Sequence, residues 1–367
     1  MTLWIMKTLH HWFGVVFAAF FFVISVSGTW LVIDKYLFAS SVSAQEGQLV
    51  TARTSEQDSA FISKILPIYP AKDISQIGFP IPEEPFYYVK LRGGGMNYFH
   101  NQSLTMLKKP ISGPVTHFMT RVHTNLLNPW GIGHEIVIWT GLVAIFLSVT
   151  GLVIFIPSRR SFRKNRILLP RELSFKDVRR THLSSGIIFS VFIVFFSATG
   201  WIIGEPDEAQ AMLSSSNDLL MPSSPELPEI IKTRGIGEII EGVMLYLPHQ
   251  QLMRVDFAAL EQNQALYLYT KKEEDFALHG NKRIKIDLDE GVVSYLSSGE
   301  NKNFTSQTLN NAYSLHTGQG RGAIYQLMIA ILGVLVAIVS VMGLLSYILK
   351  WRIKISKTLS VQRKDKT

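Results

Sequence analysis

Four histidines stand beside the starts of apolar segments. His10 in LHHWFG and His182 in THLSSG precede the first and third apolar runs, while His123 in VHTN and His316 in LHTG precede the second and fourth. Two imidazoles can complete the axial coordination of a haem iron. The chain has no cysteine, which excludes iron–sulfur clusters and covalently attached c-type haem. The pattern therefore predicts b-type haem, with His10 and His182 as one ligand pair and His123 and His316 as another.

The two halves of the chain repeat each other. One constant offset matches His10 with His182, Gly14 with Gly186, and Gly28 with Gly200, and a second matches Gly141 with Gly333, and Gly151 with Gly343. Shared histidine and glycine positions are less common by chance than shared apolar residues, so the chain is predicted to be a tandem duplication of a helix, an external domain and a helix. The duplication favours His10 over its neighbour His11 as a ligand.

Glycines follow two of the predicted ligands. Gly14 and Gly186 lie four residues after His10 and His182, so each shares a helix face with its histidine and leaves room for a flat macrocycle. The alternative is close packing of helices through small residues, which needs no cofactor. The glycines alone do not decide between the two.

The outer site has a competing ligand and two candidate partners for haem propionates. His134 stands at the start of the second apolar run, but the repeat places Gln326 at the equivalent position, so His123 ranks above it. Arg121 and Arg321 lie close to the outer histidines, where they could neutralise propionates or anchor the chain at the interface.

The remaining histidines have no match in the repeat. His11 and His117 are expected to be structural. His100, His249 and His279 lie in the external segments, where a solvated surface position is the simpler expectation. With Tyr98, His100 and His279 are the candidate contacts for an iron chelate.

Elements that span a membrane must position these side chains. The 367 residues are 47% hydrophobic and only 17% charged, as expected for an integral membrane protein. An apolar helix crosses a hydrocarbon core of about 30 Å with roughly 20 residues. The runs that satisfy this length are Trp12 to Ile33, Ile136 to Ile156, Leu183 to Gly204, and Gly322 to Leu349.

Charge sets the predicted orientation. The segment from Pro157 to His182 and the tail from Lys350 to Thr367 carry many more Lys and Arg than acids, so both are expected in the cytoplasm. This distribution explains the net charge of +8 better than nucleic-acid binding does. SVSA, ending at Ala44, resembles a signal cleavage site, but the apolar region is too long for a typical signal, so we expect an uncleaved helix.

The long connections between paired spans read as two external α+β modules. Each holds a short amphipathic helix followed by strands, and a Ser- and Pro-rich linker from Ser214 to Glu229 precedes the second module. The predicted divisions are 1–33, the first span; 34–115, module 1; 116–157, the outer His segment and second span; 158–182, the basic loop; 183–204, the third span; 205–305, module 2; 306–349, the outer His segment and fourth span; and 350–367, the basic tail.

With these helix starts, paired histidines and external modules, the chain resembles the PepSY-associated transmembrane family, and more narrowly its inner-membrane ferric-siderophore reductases. The resemblance extends from Lys7 to Trp351. It implies a bacterial inner-membrane protein with periplasmic PepSY modules, which binds b-haem and reduces siderophore-bound iron. Carried over by position, His10, His182, His123 and His316 are the haem ligands.

Three functions follow from these features. The first is an oxidoreductase that reduces a ferric siderophore with electrons from a quinol or a cytosolic reductase, since the cytoplasmic segments are too short for a nucleotide-binding fold. The second is a membrane-anchored module that binds a peptide or a protease without redox activity, which leaves the duplicated histidines unexplained. The third is electron transfer to a protein partner. The partners expected besides substrate and donor are membrane lipids, and nucleic acid is not among them.

Overall fold

The computed structural model describes residues 3–46, 54–81, 84–93, 95–107, 113–128, 131–156, 170–213, 235–247, 249–260, 264–272, 275, 278, 280, 282–289, 291–298 and 304–364. The chain divides into two compact units. The first, here the helical unit, comprises Met1–Asp34, Pro114–Glu205 and Ile324–Thr367, and the second, here the sheet unit, comprises Lys35–Gly113 and Pro206–Ala323.

The helices in chain order are α1 (Leu3–Glu46), α2 (Ser55–Ile65), α3 (Gly113–Asn125), α4 (Ile132–Phe155), α5 (Phe175–Gly204), α6 (Pro206–Leu213), α7 (Ile236–Leu245), α8 (Phe304–Thr317) and α9 (Gly322–Lys364). Four of them contain a segment long and apolar enough to cross a membrane. Within the described part of the chain, these segments are Leu3–Val42, Ile132–Phe155, Phe175–Gly204 and Gly322–Ser356. The four predicted apolar helices are confirmed.

Three of these helices extend beyond the apolar runs that predicted them. Helix α1 begins at Leu3, and α5 begins at Phe175, inside the segment predicted as a basic loop. The side chain of Ser174 caps α5 by accepting a hydrogen bond of 3.3 Å from the backbone N–H of Asp177. Helix α9 continues to Lys364 through the predicted tail. Hydropathy finds only the lipid-compatible part of a helix, so the polar turns at the ends were missed.

The sheet unit contains a single antiparallel sheet of seven strands. They are β1 (Ile74–Gly78), β2 (Phe86–Leu91), β3 (Met96–His100), β4 (Gln251–Asp256), β5 (Ala265–Lys271), β6 (Lys282–Asp287) and β7 (Val292–Ser298), in the order β3-β2-β1-β4-β5-β6-β7. Strands β1 and β4 pair with Ile77 opposite Val255. The prediction of two separate modules is corrected in this respect, because pairing β1 with β4 removes an unpaired edge from each half.

One face of this sheet forms the core with α2 and α7. Phe61 and Ile65 of α2 and Ile240 of α7 are almost fully buried with Ile77 and Val255 of the central strands. The two helices pack closely, and the Ser59 hydroxyl of α2 donates to the Gly237 carbonyl of α7 at 3.2 Å. The core therefore draws on both long connections between the apolar helices.

The chain after β3 is not a regular strand. The stretch from Leu104 to Pro110, LTMLKKP, has a strand-like sequence, but its described part forms only an isolated bridge between Met106 and Phe99. The short β3 strand ends at His100, after which the chain turns. The predicted linker from Ser214 to Glu229 lies outside the described residues.

Candidate functional site

His10 lies on α1, with its ring against α4. Its Nδ1 atom is 2.9 Å from the hydroxyl oxygen of Thr150. That hydroxyl donates its own proton to the Phe146 carbonyl at 2.8 Å, so it accepts from His10. The Leu147 carbonyl also interacts with the imidazole. Nδ1 therefore carries the proton, and Nε2 holds the lone pair that can bind a metal.

His182 repeats this arrangement between α5 and α9. Its Nδ1 atom is 3.1 Å from the Val339 carbonyl oxygen. A carbonyl can only accept, so Nδ1–H is the donor and Nε2 again keeps the lone pair. None of the described residues forms a hydrogen bond with Nε2 of His10 or of His182.

Both rings rest on glycines of the facing helices. A Cβ atom placed on Gly151 would lie 3.2 Å from Cε1 of His10, and one on Gly343 would lie 3.0 Å from Cε1 of His182. Gly151 follows the Leu147 carbonyl by four residues, and Gly343 follows the Val339 carbonyl by four. The same offset relates the two glycines and the two carbonyls, so both halves of the chain make the same contact.

His123 makes a third contact of this type. It lies in the last turn of α3, and its Nδ1 atom is 2.9 Å from the Ile24 carbonyl oxygen on α1. A Cβ atom on Gly28, four residues after Ile24, would lie 2.8 Å from Cε1 of His123. Burial lowers the pKa of the His123 imidazole, which favours the neutral ring that a metal needs.

These residues fit a haem iron. Metal-binding histidines commonly donate their second ring N–H to a carbonyl or hydroxyl, which fixes the tautomer and the ring orientation. His10 and His182 are also near enough to each other to interact electrostatically. A Cβ atom added at Gly14 or Gly186 would meet nothing within 4 Å, so there is room beside both glycines.

A haem iron needs only two ligands from the protein, whereas a metal ion bound by side chains alone needs more. The part of the chain that the structure describes contains no group of three or more His, Cys, Asp or Glu side chains that could hold a metal ion. A metal bound by protein side chains alone therefore has no candidate site there. A haem iron, whose other four ligands come from the porphyrin, is compatible with the paired histidines.

Over residues 7–350 the chain matches the family described as the PepSY-associated TM region. The chain belongs to this family. It is a membrane protein of that family, in agreement with its four apolar helices. Comparison with curated proteins gives no match.

In this PepSY-associated protein, the histidine that competes with His123 already contacts a carboxylate. The Nε2 atom of His134 on α4 lies 3.0 Å from Oε1 of Glu205, which follows the last residue of α5. A ring nitrogen in such a pair is not available to iron unless the pair opens. His123 therefore remains the better candidate.

The remaining predicted site residues of the PepSY-associated chain, and the unmatched His11, lie on different helices and turns. His316 lies in the last turn of α8 within the sheet unit. Arg121 is exposed on α3, and the backbone N–H of Arg321 donates to the Gly318 carbonyl at 3.1 Å. His11 contacts the ring of Tyr347 at a centroid distance of 5.1 Å.

The candidate chelate contacts of the sheet unit are only partly compatible with that role. His100 is buried, and its Nδ1 atom accepts hydrogen bonds from the backbone N–H groups of Gln102 and Ser103, so it shapes a turn and is not a solvated histidine. Tyr98 packs against the ring of Phe38 at 4.7 Å. His117 and His249 are exposed, and His279 lies outside the described residues.

Sequence reasoning missed the residues that hold the rings. Gly28, Gly151 and Gly343 belong to the repeated pattern, so their recurrence was the available signal. Thr150 has no hydroxyl counterpart, because the second offset aligns it with Met342. Nothing in the sequence marked it.

Proposed function

We propose that this protein is a b-haem-containing oxidoreductase of the inner membrane, which transfers electrons across the membrane to reduce the iron of a ferric siderophore in the periplasm. The observation that supports it best is the contact made by His10 and repeated by His182. Each imidazole donates its Nδ1 proton to the facing helix, rests on a glycine, and keeps the Nε2 lone pair. Interface anchoring of a helix requires none of these three features.

Haem iron supplies reversible one-electron transfer. The residues of the chain supply its ligands and its surroundings. His10 with His182, and His123 with His316, are the proposed ligand pairs of two haems, and Arg121 and Arg321 supply positive charge for propionates. The room beside Gly14 and Gly186 is proposed to receive the macrocycle.

Reduction is a suitable way to release iron from a siderophore. One electron converts Fe(III) to Fe(II), which hard oxygen ligands bind much more weakly, so the metal leaves and the chelator stays intact. The electron donor is proposed to be a membrane quinol or a cytosolic reductase. Two haems stacked between the membrane surfaces would divide a crossing of about 30 Å into shorter steps.

The visible absorption spectrum of the purified protein tests the cofactor. We expect low-spin b-type haem, with lower haem content or a five-coordinate spectrum in His10→Ala and His182→Ala. His249→Ala, at an exposed position of the sheet unit, is the control and should leave the spectrum unchanged. Full haem loading with unaltered bands in both ligand variants contradicts the assignment of the inner site.

The activity has a separate test. The protein is reduced anaerobically with dithionite, the excess is removed, and a ferric siderophore is added with a ferrous-iron trap. We expect the haem bands to reoxidise and trapped Fe(II) to appear. Haems that stay reduced with every hydroxamate and catecholate chelate would favour electron transfer to a protein partner, and a protein purified without haem would favour a binding module.

A further inference from the structure

A row of aromatic and cationic side chains crosses the sheet on the face opposite α2 and α7. Residues directly opposite each other in neighbouring strands point to the same face. The register places Tyr88 opposite Gly78, Gly78 opposite Arg254, Arg254 opposite Tyr269, and Tyr269 opposite Arg283. These five residues, here called the Arg–Tyr row, draw on strands from both external segments.

The guanidinium groups of the row lie on tyrosine rings. The Cζ atom of Arg254 is 3.8 Å from the ring centroid of Tyr269, and the Cζ atom of Arg283 is 4.4 Å from that of Tyr267 in the next row. Arg283 also lies 5.6 Å from the centroid of Tyr269. Stacking fixes each guanidinium plane and leaves its edge N–H groups directed away from the ring.

The two arginines of the row, Arg254 and Arg283, are not ion-paired within the described residues. Among the same residues, Nε of Arg254 is buried without a hydrogen-bond acceptor. Three acids lie nearby: Asp287 pairs with Lys285 at 3.0 Å, Glu84 pairs with Lys35 at 3.8 Å, and Asp256 accepts from the backbone N–H of Ala258 at 2.8 Å.

Tyr88 completes the row without adding negative charge. Its ring lies over Gly78, where a Cβ atom would be 2.0 Å from the ring, so a larger residue would displace it. Its hydroxyl accepts a hydrogen bond of 2.6 Å from the Gln76 amide. Burial raises the pKa of Tyr88, so the phenol stays protonated. The row itself therefore presents aromatic rings and two guanidinium groups, and Glu84 acts electrostatically on its Tyr88 end.

We propose that the Arg–Tyr row binds an anionic, aromatic ferric chelate of the tris-catecholate class. The guanidinium edges match the anionic catecholate oxygens, and the catechol rings match the tyrosine and guanidinium planes. The choice of an iron chelate rests on the proposed function. Arg283 is exposed, and Tyr267 and Tyr269 are partly exposed, so this end of the row is accessible in the part of the sheet that the structure describes.

Stacking alone is the competing explanation for the row. An arginine on a tyrosine ring stabilises a sheet by itself, typically by about 0.5–1 kcal/mol at exposed sites. That role accounts for the rings, but it leaves the exposed guanidinium of Arg283 without an ion-pair partner among the described residues. A bound anion would supply that partner.

Calorimetric titration of the purified full chain with the Ga(III) complex of a tris-catecholate siderophore tests the proposal, because gallium binds like Fe(III) but is not reduced. We expect Arg254→Gln and Arg283→Gln each to weaken binding about tenfold or more, as expected for loss of a charge-assisted hydrogen bond. Lys72→Gln removes a positive charge from an exposed site elsewhere in the sheet unit and should leave affinity unchanged. The uncharged Ga(III) tris-hydroxamate complex should bind at least about tenfold more weakly.

Equal affinity of the catecholate complex for wild type and Arg283→Gln, or equal affinity of the two gallium complexes, overturns the proposal. Arg283 is exposed, so this variant remains decisive if Arg254→Gln fails to fold. This result can be told apart from a failure of the reductase proposal. If gallium binding depends on both arginines but the haems never reoxidise, the row is a chelate site and the proposed reductase activity is wrong.

Discussion

A glycine on the facing helix determines how each of three histidines, His10, His182 and His123, is held. In an α-helix, the side chain four residues after a carbonyl lies near that carbonyl on the same face. Gly28, Gly151 and Gly343 lack such a side chain, so an imidazole can approach the helix and reach the carbonyl oxygen. The same glycine thus provides space and access to a hydrogen-bond acceptor. The histidine is left with a fixed ring orientation and a fixed tautomer.

Thr150→Val should alter one haem and leave the other unchanged. The substitution removes the hydroxyl that accepts from Nδ1 of His10 at 2.9 Å but keeps the shape of the side chain. Changes of this kind around metal ligands typically cost about 10–100-fold in metal affinity. We expect a shifted midpoint potential or lower occupancy for the haem that His10 is proposed to bind, measured by spectroelectrochemical titration. Ser190→Ala on α5 is the matched control, since the Ser190 hydroxyl donates only to its own helix. Identical titrations for Thr150→Val and wild type would contradict a supporting role for Thr150.

At the residue scale, the repeat predicted more than composition could. It selected His10 over His11, and the structure holds His10 between helices while His11 lies against the ring of Tyr347. It also ranked His123 above His134, whose ring is paired with Glu205. It could not find Thr150 or Glu205, because the hydrogen-bond partners of a histidine are set by helix packing and need not be duplicated.

At the scale of elements, the turn between α3 and α4 positions His123. Leu126 and Leu127 have left-handed backbone conformations, with φ of 50° and 63°, which reverse the chain directly after α3. Gly133 on α4 packs on the end of α3, where a Cβ atom would lie 1.8 Å from the Asn125 carbonyl oxygen. The absence of a side chain at this glycine brings the two helices together.

Gly133→Ala should therefore disturb the outer site selectively. The added methyl group clashes with backbone, so α3 must shift, and overpacking of this kind costs about 1–3 kcal/mol. We expect lower haem content with the spectrum of the inner haem retained, together with a lower unfolding temperature. Gly113→Ala, at the start of α3, meets nothing within 4 Å and should behave as wild type. Equal haem content in the two variants would show that the α3–α4 contact does not support a cofactor.

The elements differ in how far the sequence could predict them. A helix that crosses lipid needs a long run of apolar residues. Such a run is a local property of the sequence, so the four apolar helices could be predicted. Strands such as β5 and β6 were also recognised from their alternating side chains. The pairing of β1 with β4 was not predicted, because it joins residues as distant as Ile77 and Val255. Local patterns identify a strand but do not identify its neighbour.

On the scale of the whole molecule, each unit is assembled from distant parts of the chain. The sheet unit uses both long connections between the apolar helices, so β1 to β3 cannot complete the core without β4 to β7. The helical unit likewise combines helices from both halves, with His10 held by α4 and His182 by α9. Each of the two units is therefore built from both halves of the sequence.

Both basic segments should lie in the cytoplasm, with the external segments outside it. The chain has no cysteine, so single cysteines can be introduced at Ser161 in the basic segment and at Ser216 in the second external segment without background labelling. Both positions lie outside the described residues. In intact spheroplasts, a membrane-impermeant maleimide should label Ser216→Cys, whereas Ser161→Cys should react only after permeabilisation, because short loops rich in Lys and Arg stay in the cytoplasm. The unmodified protein is the control and should remain unlabelled. Labelling of Ser161→Cys from outside, with Ser216→Cys protected, would invert the topology, place the sheet unit in the cytoplasm, and remove the basis for reduction of a periplasmic siderophore.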